Sequence, residues 1–304
     1  MKKFIFYGAA FLCAAFIGIA AFFAQIHWNT PKVSVVMPTY NRADLLPRAI
    51  ESILTQTYRN FEFIIVDDGS TDASADIIQM YAAIDPRIKY IKNEKNRGIS
   101  FSRNRGNDLA AGKYIMIMDS DDISLPRRME RMVSFFENHP DVVLLTSLKT
   151  AIGGHVLSPV PMDQAEALNL FGLNIGHPEW MLRRSFLKEN NIKYSENFIA
   201  SGDYDYLIQI LKKHGQIGYL DEILYLRRFH HTNPKEYYDR QEADSLKRSE
   251  EFLIDYGIPE HIAQRRVLPE IMPIILRENK TKRYLNQERL EQFYNDFLKR
   301  EGMQ

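Results

Sequence analysis

The chain has a single cysteine, Cys13, set in an apolar segment and without a partner. An intrachain disulfide is thereby excluded, and so is a zinc site built on cysteines. Redox compartment stays open, because a disulfide-free chain is at home on either side of a membrane. An excess of charge is missing too, since 39 basic residues face 39 acidic ones. No overall field draws the molecule to DNA or RNA, and a nucleic-acid partner is not expected. Internal repeats and low-complexity tracts are absent. What remains is globular in composition, with 45% hydrophobic and 26% charged residues in 304. That length leaves room for one large α/β domain with extensions or for two ordinary domains.

Long uncharged runs are confined to one place. From Phe4 to Phe23 the sequence is almost wholly apolar and follows Lys2 and Lys3. About 20 such residues span about 30 Å of hydrocarbon as a helix. A cleaved signal peptide is the rival, with Gly18 and Ala20 as small residues before a cut. Phe16, Phe22 and Phe23 crowd that region, so a retained anchor is expected, with Trp28 at the interface. Two lysines bias the side of the membrane only weakly, and attachment alone is expected.

Beyond Pro31, short apolar runs alternate with helical periodicity. Strands are expected at Val33–Met37, Phe61–Val66, Ile88–Ile91 and Tyr114–Met118. Helices are expected around Leu45–Leu54, around Ile77–Tyr81 with Thr71 or Asp72 as cap, and over Ser102–Ala111. Such alternation predicts a mostly parallel sheet whose ligands bind outside the carboxyl ends of its strands. From Val142 shorter strands are expected, with a turn at Gly153-Gly154 and a break near Pro159 and Pro161. A helix is expected over Asp203–Lys213, and helices again after Pro234.

Polar clusters sit at the expected strand ends. Asp119-Ser120-Asp121 follows the fourth strand; carboxylates two apart on a tight turn can converge on one hard divalent cation. An acidic loop capping the next helix, near Pro126, is the plainer reading. Asp67-Asp68-Gly69-Ser70 follows the second strand, where carboxylates can accept hydrogen bonds from a base or ribose. Pro38-Thr39-Tyr40-Asn41 places an aromatic where it could stack on a base. Asn96-Arg97-Gly98 through Arg103-Asn104-Arg105-Gly106 offers guanidinium groups to a diphosphate, or a solvated basic face.

The strings VSVVMPTYNR, FEFIIVDDGSTD, NRGISFSRNRG, AAGKYIMIMDSDD and LPRRM stand in an order that closely resembles family 2 glycosyltransferases. The resemblance implies the GT-A fold: a Rossmann-like, mostly parallel α/β sheet flanked by helices, here with an N-terminal membrane helix and a C-terminal helical tail. It also implies a metal-dependent, inverting transfer from a nucleotide-diphospho-sugar, UDP being the commonest donor nucleotide, to a carbohydrate or lipid-linked acceptor. Pro38, Thr39, Tyr40, Asn41, Asp67, Asp68, Arg103, Asp119 and Ser120 would hold the donor. Asp121 and Asp119 would ligate Mn²⁺ or Mg²⁺, joined by His230 of RRFHH. Asp203 in SGDYDYL would be the base, with Asp205 its rival; the family's Glu-Asp-x-Asp is here Gly202-Asp203-Tyr204-Asp205. The missing Gln-x-x-Arg-Trp string argues for non-processive transfer. Residues 1–28 are read as anchor and linker start, 29–240 as the catalytic domain (29–141 for the nucleotide, 142–240 for the acceptor), and 241–304 as a helical extension. An inactive homologue serving as a carbohydrate-binding or scaffold subunit is the alternative, against which Asp119, Asp121 and Asp203 weigh.

Overall fold

The computed structural model describes residues 31–151, 176–197, 202–228, 235–265, 268–282 and 287–300. The run Phe4–Phe23, the turn at Gly153-Gly154, the break near Pro159 and Pro161, and His230 lie outside them. Among the described residues no helix is long and apolar enough to cross a membrane.

The alternation read from the sequence is present as β1 (Val33–Thr39), α1 (Leu46–Leu54), β2 (Phe61–Asp67), α2 (Ser74–Ile84), β3 (Ile88–Lys92), α3 (Ile99–Leu109) and β4 (Tyr114–Ile117). These strands pair in parallel in the order β3-β2-β1-β4. Every residue of β1 and β2 is buried, because helices cover both faces of the sheet. Val33, Val35 and Met37 pack on one side with Phe63, Ile65 and Met116, and Val36, Ile64 and Ile117 on the other. Successive side chains of a strand point to opposite faces, so both sides must be apolar. Each fully buried aliphatic side chain contributes about 1.5–3 kcal/mol. Helix α3 begins at Ile99, a turn earlier than its apolar pattern suggests. Neither expected residue caps α2, whose N-cap is Ala73 without a side-chain cap bond. The Asp72 carboxylate accepts the Ser74 N–H at 2.9 Å just ahead of it, and Thr71 donates its own N–H to Asn41.

The second half corrects two expectations. It adds β5 (Ile123–Ser124), α4 (Arg128–Asn138), β6 (Val142–Ala151), β7 (Met181–Arg183), α5 (Arg184–Glu189), α6 (Gly202–Lys212) and β8 (Gln216–Arg227). The sheet continues β4-β7-β6-β8-β5. β7 runs antiparallel to both β4 and β6, and β5 antiparallel to β8. β6 and β8 pair in parallel, so the sheet is mixed, with three antiparallel pairs among the parallel ones. β7 and β5 have only three and two residues, too few for periodicity to reveal a strand or its direction. β6 and β8 run to ten and twelve residues rather than being short; Thr146, Ser147, Asp221 and Glu222 interrupt their apolar pattern.

The tail is helical, as expected after Pro234: α7 (Lys235–Asp255), α8 (Glu260–Arg265), α9 (Leu268–Lys282) and α10 (Gln287–Arg300). Phe252, Tyr256, Met272 and Leu290 share one buried cluster with Leu207 and Leu211 of α6. A polar tether joins the same elements. Asp205, 3% exposed, accepts from Arg248 Nε at 2.7 Å and Nη2 at 2.6 Å, and from Gln209 Nε2 at 2.7 Å. Arg248→Met would leave that carboxylate buried without its cation. Loss of one partner of a fully buried pair costs about 3–5 kcal/mol; with Arg248 partly exposed, about 2 kcal/mol is expected in urea unfolding. Adding Asp205→Asn should recover part of it, and failure to do so would mean that Arg248 acts through packing alone.

Candidate active site

Parallel register brings the polar strand ends to one edge. Thr39 lies opposite Asp67, and Val36 opposite both Ile64 and Ile117, so the segment after β4 emerges beside the other two ends. A cleft of about 320 Å³ opens there, lined by Pro38, Thr39, Tyr40, Asp68, Asp119, Ser120 and Asp121, with Arg42, Asn96, Gly98 and Ile99. Tyr40 is 41% exposed, a free aromatic face at the mouth.

Loops hold this shape by bonds between neighbouring strand ends. Asn41, at φ 51°, accepts the Thr71 N–H at 2.9 Å and donates its own N–H to Ser70 Oγ at 3.0 Å. Its amide is thus engaged with the β2 loop, and Asn41 is not among the cleft-lining residues. Asp67 is fully buried, accepting from the Ser70 N–H at 2.8 Å and the Tyr90 hydroxyl at 3.1 Å. Among the two acids, Asp68 is the one that reaches the cleft. Its carboxylate accepts from Asn93 Nδ2 and from the N–H groups of Arg97 and Gly98, at 2.7, 2.9 and 2.8 Å. Gly69 makes the turn at φ +76°, where a Cβ would lie 2.7 Å from the Lys95 carbonyl carbon; any side chain would clash with backbone.

Three carboxylates crowd the turn after β4. Arg103 Nη2 lies 3.1 Å from Asp119 Oδ1, and Arg42 Nε 3.5 Å from Asp121 Oδ2. Burial pushes the Asp119 carboxyl up, and Asp121 adds to this against the pull of Arg103. Burial would lower Arg103, but Asp119, Tyr194 and Asp203 more than offset it and leave it raised. Asp122 is 3% exposed and accepts the Arg228 N–H at 2.7 Å; burial, then Asp119 and Asp121, push it up to about 8. The plainer reading of this acidic loop does not hold, since α4 has no side-chain cap. Of the three arginines between 97 and 105, only Arg103 meets the acids. Arg97 lies over the Phe101 ring at 4.0 Å, and Arg105 donates to the Lys92 carbonyl at 3.0 Å.

On the far side, α6 starts against α3: a Cβ on Gly202 would come 3.0 Å from Ser100 Oγ. A side chain at this position, where the resembling family has Glu, would require the Ser100 hydroxyl to give by a few tenths of an ångström. Asp203 follows at the first turn, close enough to act electrostatically on Arg103 and Tyr194. Asp205 instead faces Arg248 and α7, away from the cleft. Tyr194 stacks on Tyr206 at 4.1 Å, and its hydroxyl lies 2.7 Å from His177 Nε2. Burial, then Arg103 and Arg227, hold the His177 imidazole well below its ordinary value. As pH falls through about 6.5 the unfolded chain takes this proton and the folded one does not. Stability should therefore drop by up to about 1.4 kcal/mol per pH unit below that point. His177→Gln should flatten this acid-side slope in denaturant titrations; an unchanged slope would mean that other groups set it.

Three contributors escaped the sequence reading. Arg42 stood within VSVVMPTYNR, next to Asn41, and adjacency alone could have found it. Tyr225, whose hydroxyl accepts the Asp119 N–H at 3.3 Å, and Tyr194 carry no local signal, because each arrives from a distant segment.

An acid-rich cleft at the carboxyl edge of parallel strands defines a nucleotide-binding α/β enzyme. Glycosyl transferase family 2 matches residues 34–215, more than half of the chain, and the chain belongs to that family. It is a glycosyltransferase. An uncharacterized glycosyltransferase of Methanocaldococcus jannaschii is 39% identical over 206 residues, 64% of this chain and 70% of that protein. The putative glycosyltransferase EpsE of Bacillus subtilis is 47% identical over 110 residues, 36% of this chain and 40% of that protein. Among solved structures, the mannosyltransferase PcManGT of Pyrobaculum calidifontis, in complex with GDP-Man and Mn²⁺, matches with TM-score 0.62 and 19% identity, over 90% of this chain and 85% of that one. S. aureus TarS 1–349 in complex with UDP matches with TM-score 0.59 and 22% identity, over 83% and 73%. At these identities the structural likeness speaks for the fold.

Proposed function

We propose that this glycosyltransferase moves one sugar at a time, with inversion, from a nucleoside diphosphate to an acceptor hydroxyl on a glycan or lipid-linked saccharide. One observation carries the reading: Asp119 and Asp121, each faced by an arginine, share a cleft with Asp68 and the exposed ring of Tyr40. Tyr40 stacks on the base, which by the resemblance is uracil, and Asp68 and Thr39 hold the nucleoside. Arg103 and Arg42 take diphosphate oxygens.

The residues fit a divalent cation. Among the described residues no group of three or more His, Cys, Asp or Glu is placed to hold one, so Asp119 and Asp121 would supply part of the shell. Phosphate and water oxygens complete such a shell for Mg²⁺ or Mn²⁺. Burial and the neighbouring Asp121 charge push the Asp119 carboxyl up, a strain that a cation between the two would relieve. When bound, it neutralises charge developing on the departing diphosphate. His230 would join it by family pattern.

Asp203 takes the acceptor hydroxyl's proton, and the hydroxyl oxygen displaces the diphosphate from the opposite face of the anomeric carbon. Phe4–Phe23 anchors the chain to a membrane, 29–240 forms the catalytic domain, and 241–304 braces α6. Release of nucleoside diphosphate should be measured across a panel of nucleotide sugars in Mn²⁺, Mg²⁺ and EDTA, with the product's anomeric configuration read by NMR. Turnover by metal-stripped protein in EDTA at the Mn²⁺ rate would overturn metal dependence, and a retained anomer would overturn in-line displacement.

A further inference from the structure

The opposite edge of the sheet, where β1 to β4 begin, gathers basic residues although the chain as a whole is electroneutral. The entering segments 31–33, 59–62, 85–89 and 111–114 carry Lys32, Arg59, Arg87, Lys89 and Lys113 against Glu62 and Asp85. Arg184 packs onto the same edge, donating to the Ala111 carbonyl at 3.0 Å. Glu137 answers Lys32 and Lys113 at 3.3 and 3.0 Å. Arg87 pairs with Asp85 at 2.7 Å and Lys89 with Glu62 at 2.5 Å, so six bases meet three acids and an excess of three positive charges remains on this edge. Arg59, Arg87 and Lys89 with Pro31 border an open cleft of about 420 Å³.

Apolar side chains flank this basic edge. α2 and α3 run from the carboxyl ends of the strands to their starts, and each finishes on an exposed residue. Ile84 is 76% exposed, more than any other large hydrophobic among the described residues, and Leu109 is 49% exposed. Bases between protruding aliphatic side chains suit a lipid–water interface, where headgroup phosphates take the cations and aliphatic tips enter the acyl boundary. The chain also reaches this edge at Pro31, eight residues after the uncharged run Phe4–Phe23.

We infer that the strand-start edge is a docking surface for an anionic lipid bilayer, seated by Lys32, Arg59, Arg87, Lys89 and Lys113 and flanked by Ile84 and Leu109. This rests on the membrane attachment proposed above and adds a defined orientation to it. Seven-residue strands at about 3.3 Å per residue then hold the nucleotide cleft about 20 Å from the lipid, facing away. Of the two acceptors proposed above, this suits a glycan that extends from the surface.

The test uses the full chain with Cys13→Ser and one new cysteine for a fluorophore, either Ala83→Cys beside Ile84 or Thr71→Cys at the cleft edge. Each is mixed with vesicles carrying a headgroup quencher, of phosphatidylcholine alone or with phosphatidylglycerol. Quenching at position 83 but not 71, and only with phosphatidylglycerol, is expected. A basic residue near an anionic surface contributes roughly a fivefold factor, so Arg59→Ala with Lys113→Ala should shift the docked-to-undocked ratio by about 25-fold. Nucleoside diphosphate binding at the far edge should persist and serves as the folding control. Raised salt should weaken docking in the wild-type chain. Equal quenching at both positions would overturn the inference, as would quenching at 83 that ignores phosphatidylglycerol. A charged-polymer partner in place of lipid would leave 83 unquenched on both vesicles, which also overturns it. Failure of the anchor reads out separately, as a chain that does not float with phosphatidylcholine vesicles.

Discussion

Asp121→Ala is expected to lower sugar transfer by about 10³-fold or more and to make donor affinity the same in Mn²⁺ and in EDTA. The carboxylate lies at the carboxyl edge of β4, in the cleft with Asp119, and Arg42 Nε stands 3.5 Å away. In the proposed site, its removal leaves Asp119 as the one carboxylate of the pair to hold a cation. Arg42 remains to meet the diphosphate, so weak metal-independent binding should persist. Calorimetric titration with the nucleoside diphosphate, with and without Mn²⁺, separates the two contributions. Donor binding at unchanged affinity in Mn²⁺ would remove Asp121 from this role. Asp122→Asn is the informative neighbour. Its buried side chain accepts the Arg228 N–H, a bond that an amide oxygen preserves, so metal-dependent donor binding should survive far better than in Asp121→Ala.

Asp203→Asn should slow transfer by about 10² to 10⁴ while nucleotide binding stays near normal. The substitution keeps shape and removes the atom that accepts a proton. Asp203 opens α6, whose buried residues Leu207, Ile210 and Leu211 fix the helix, and whose first turn abuts Ser100 of α3. Asp203 is not itself among the cleft-lining residues, but it acts electrostatically on Arg103 and Tyr194, and the proposal sets it on the acceptor side. Asp205→Asn should act differently. It weakens the bond to Arg248, lowers stability, and leaves the turnover of folded enzyme closer to wild type. Near-normal turnover of Asp203→Asn would overturn the assignment. A loss confined to KM would reassign the residue to acceptor binding.

The legible part of the site was the part carried by local strings. Tyr40, Asp68 and Asp119-Ser120-Asp121 could be placed because each directly follows an apolar run, and a parallel sheet gathers the ends of such runs. Asp67 and Asp68 are adjacent and alike on paper, yet opposite in fate. Strand alternation sends Asp67 inward to Tyr90 and Ser70, and Asp68 outward to the cleft. Arg97, Arg103 and Arg105 were equally open to a diphosphate. On α3 the rotation of the helix about its axis turns Arg103 inward to Asp119 and Arg105 to the Lys92 carbonyl, while Arg97 lies in the loop before the helix and covers Phe101.

By itself the sequence determined the parallel half of the sheet, the chemistry at its edge, the helical tail and the family. Each of these is written in contiguous residues, as apolar runs of strand length, turn residues after them, and helical spacing between. Tertiary structure alone decided that the sheet is mixed, that Asp205 serves as a tether to Arg248, and that Tyr225, Tyr194 and His177 stand behind the acids. Those outcomes depend on pairings across tens of residues, where a three-residue strand such as β7 is placed by what it packs against. Local propensity carries no term for such contacts, and burial against distant partners outweighs it.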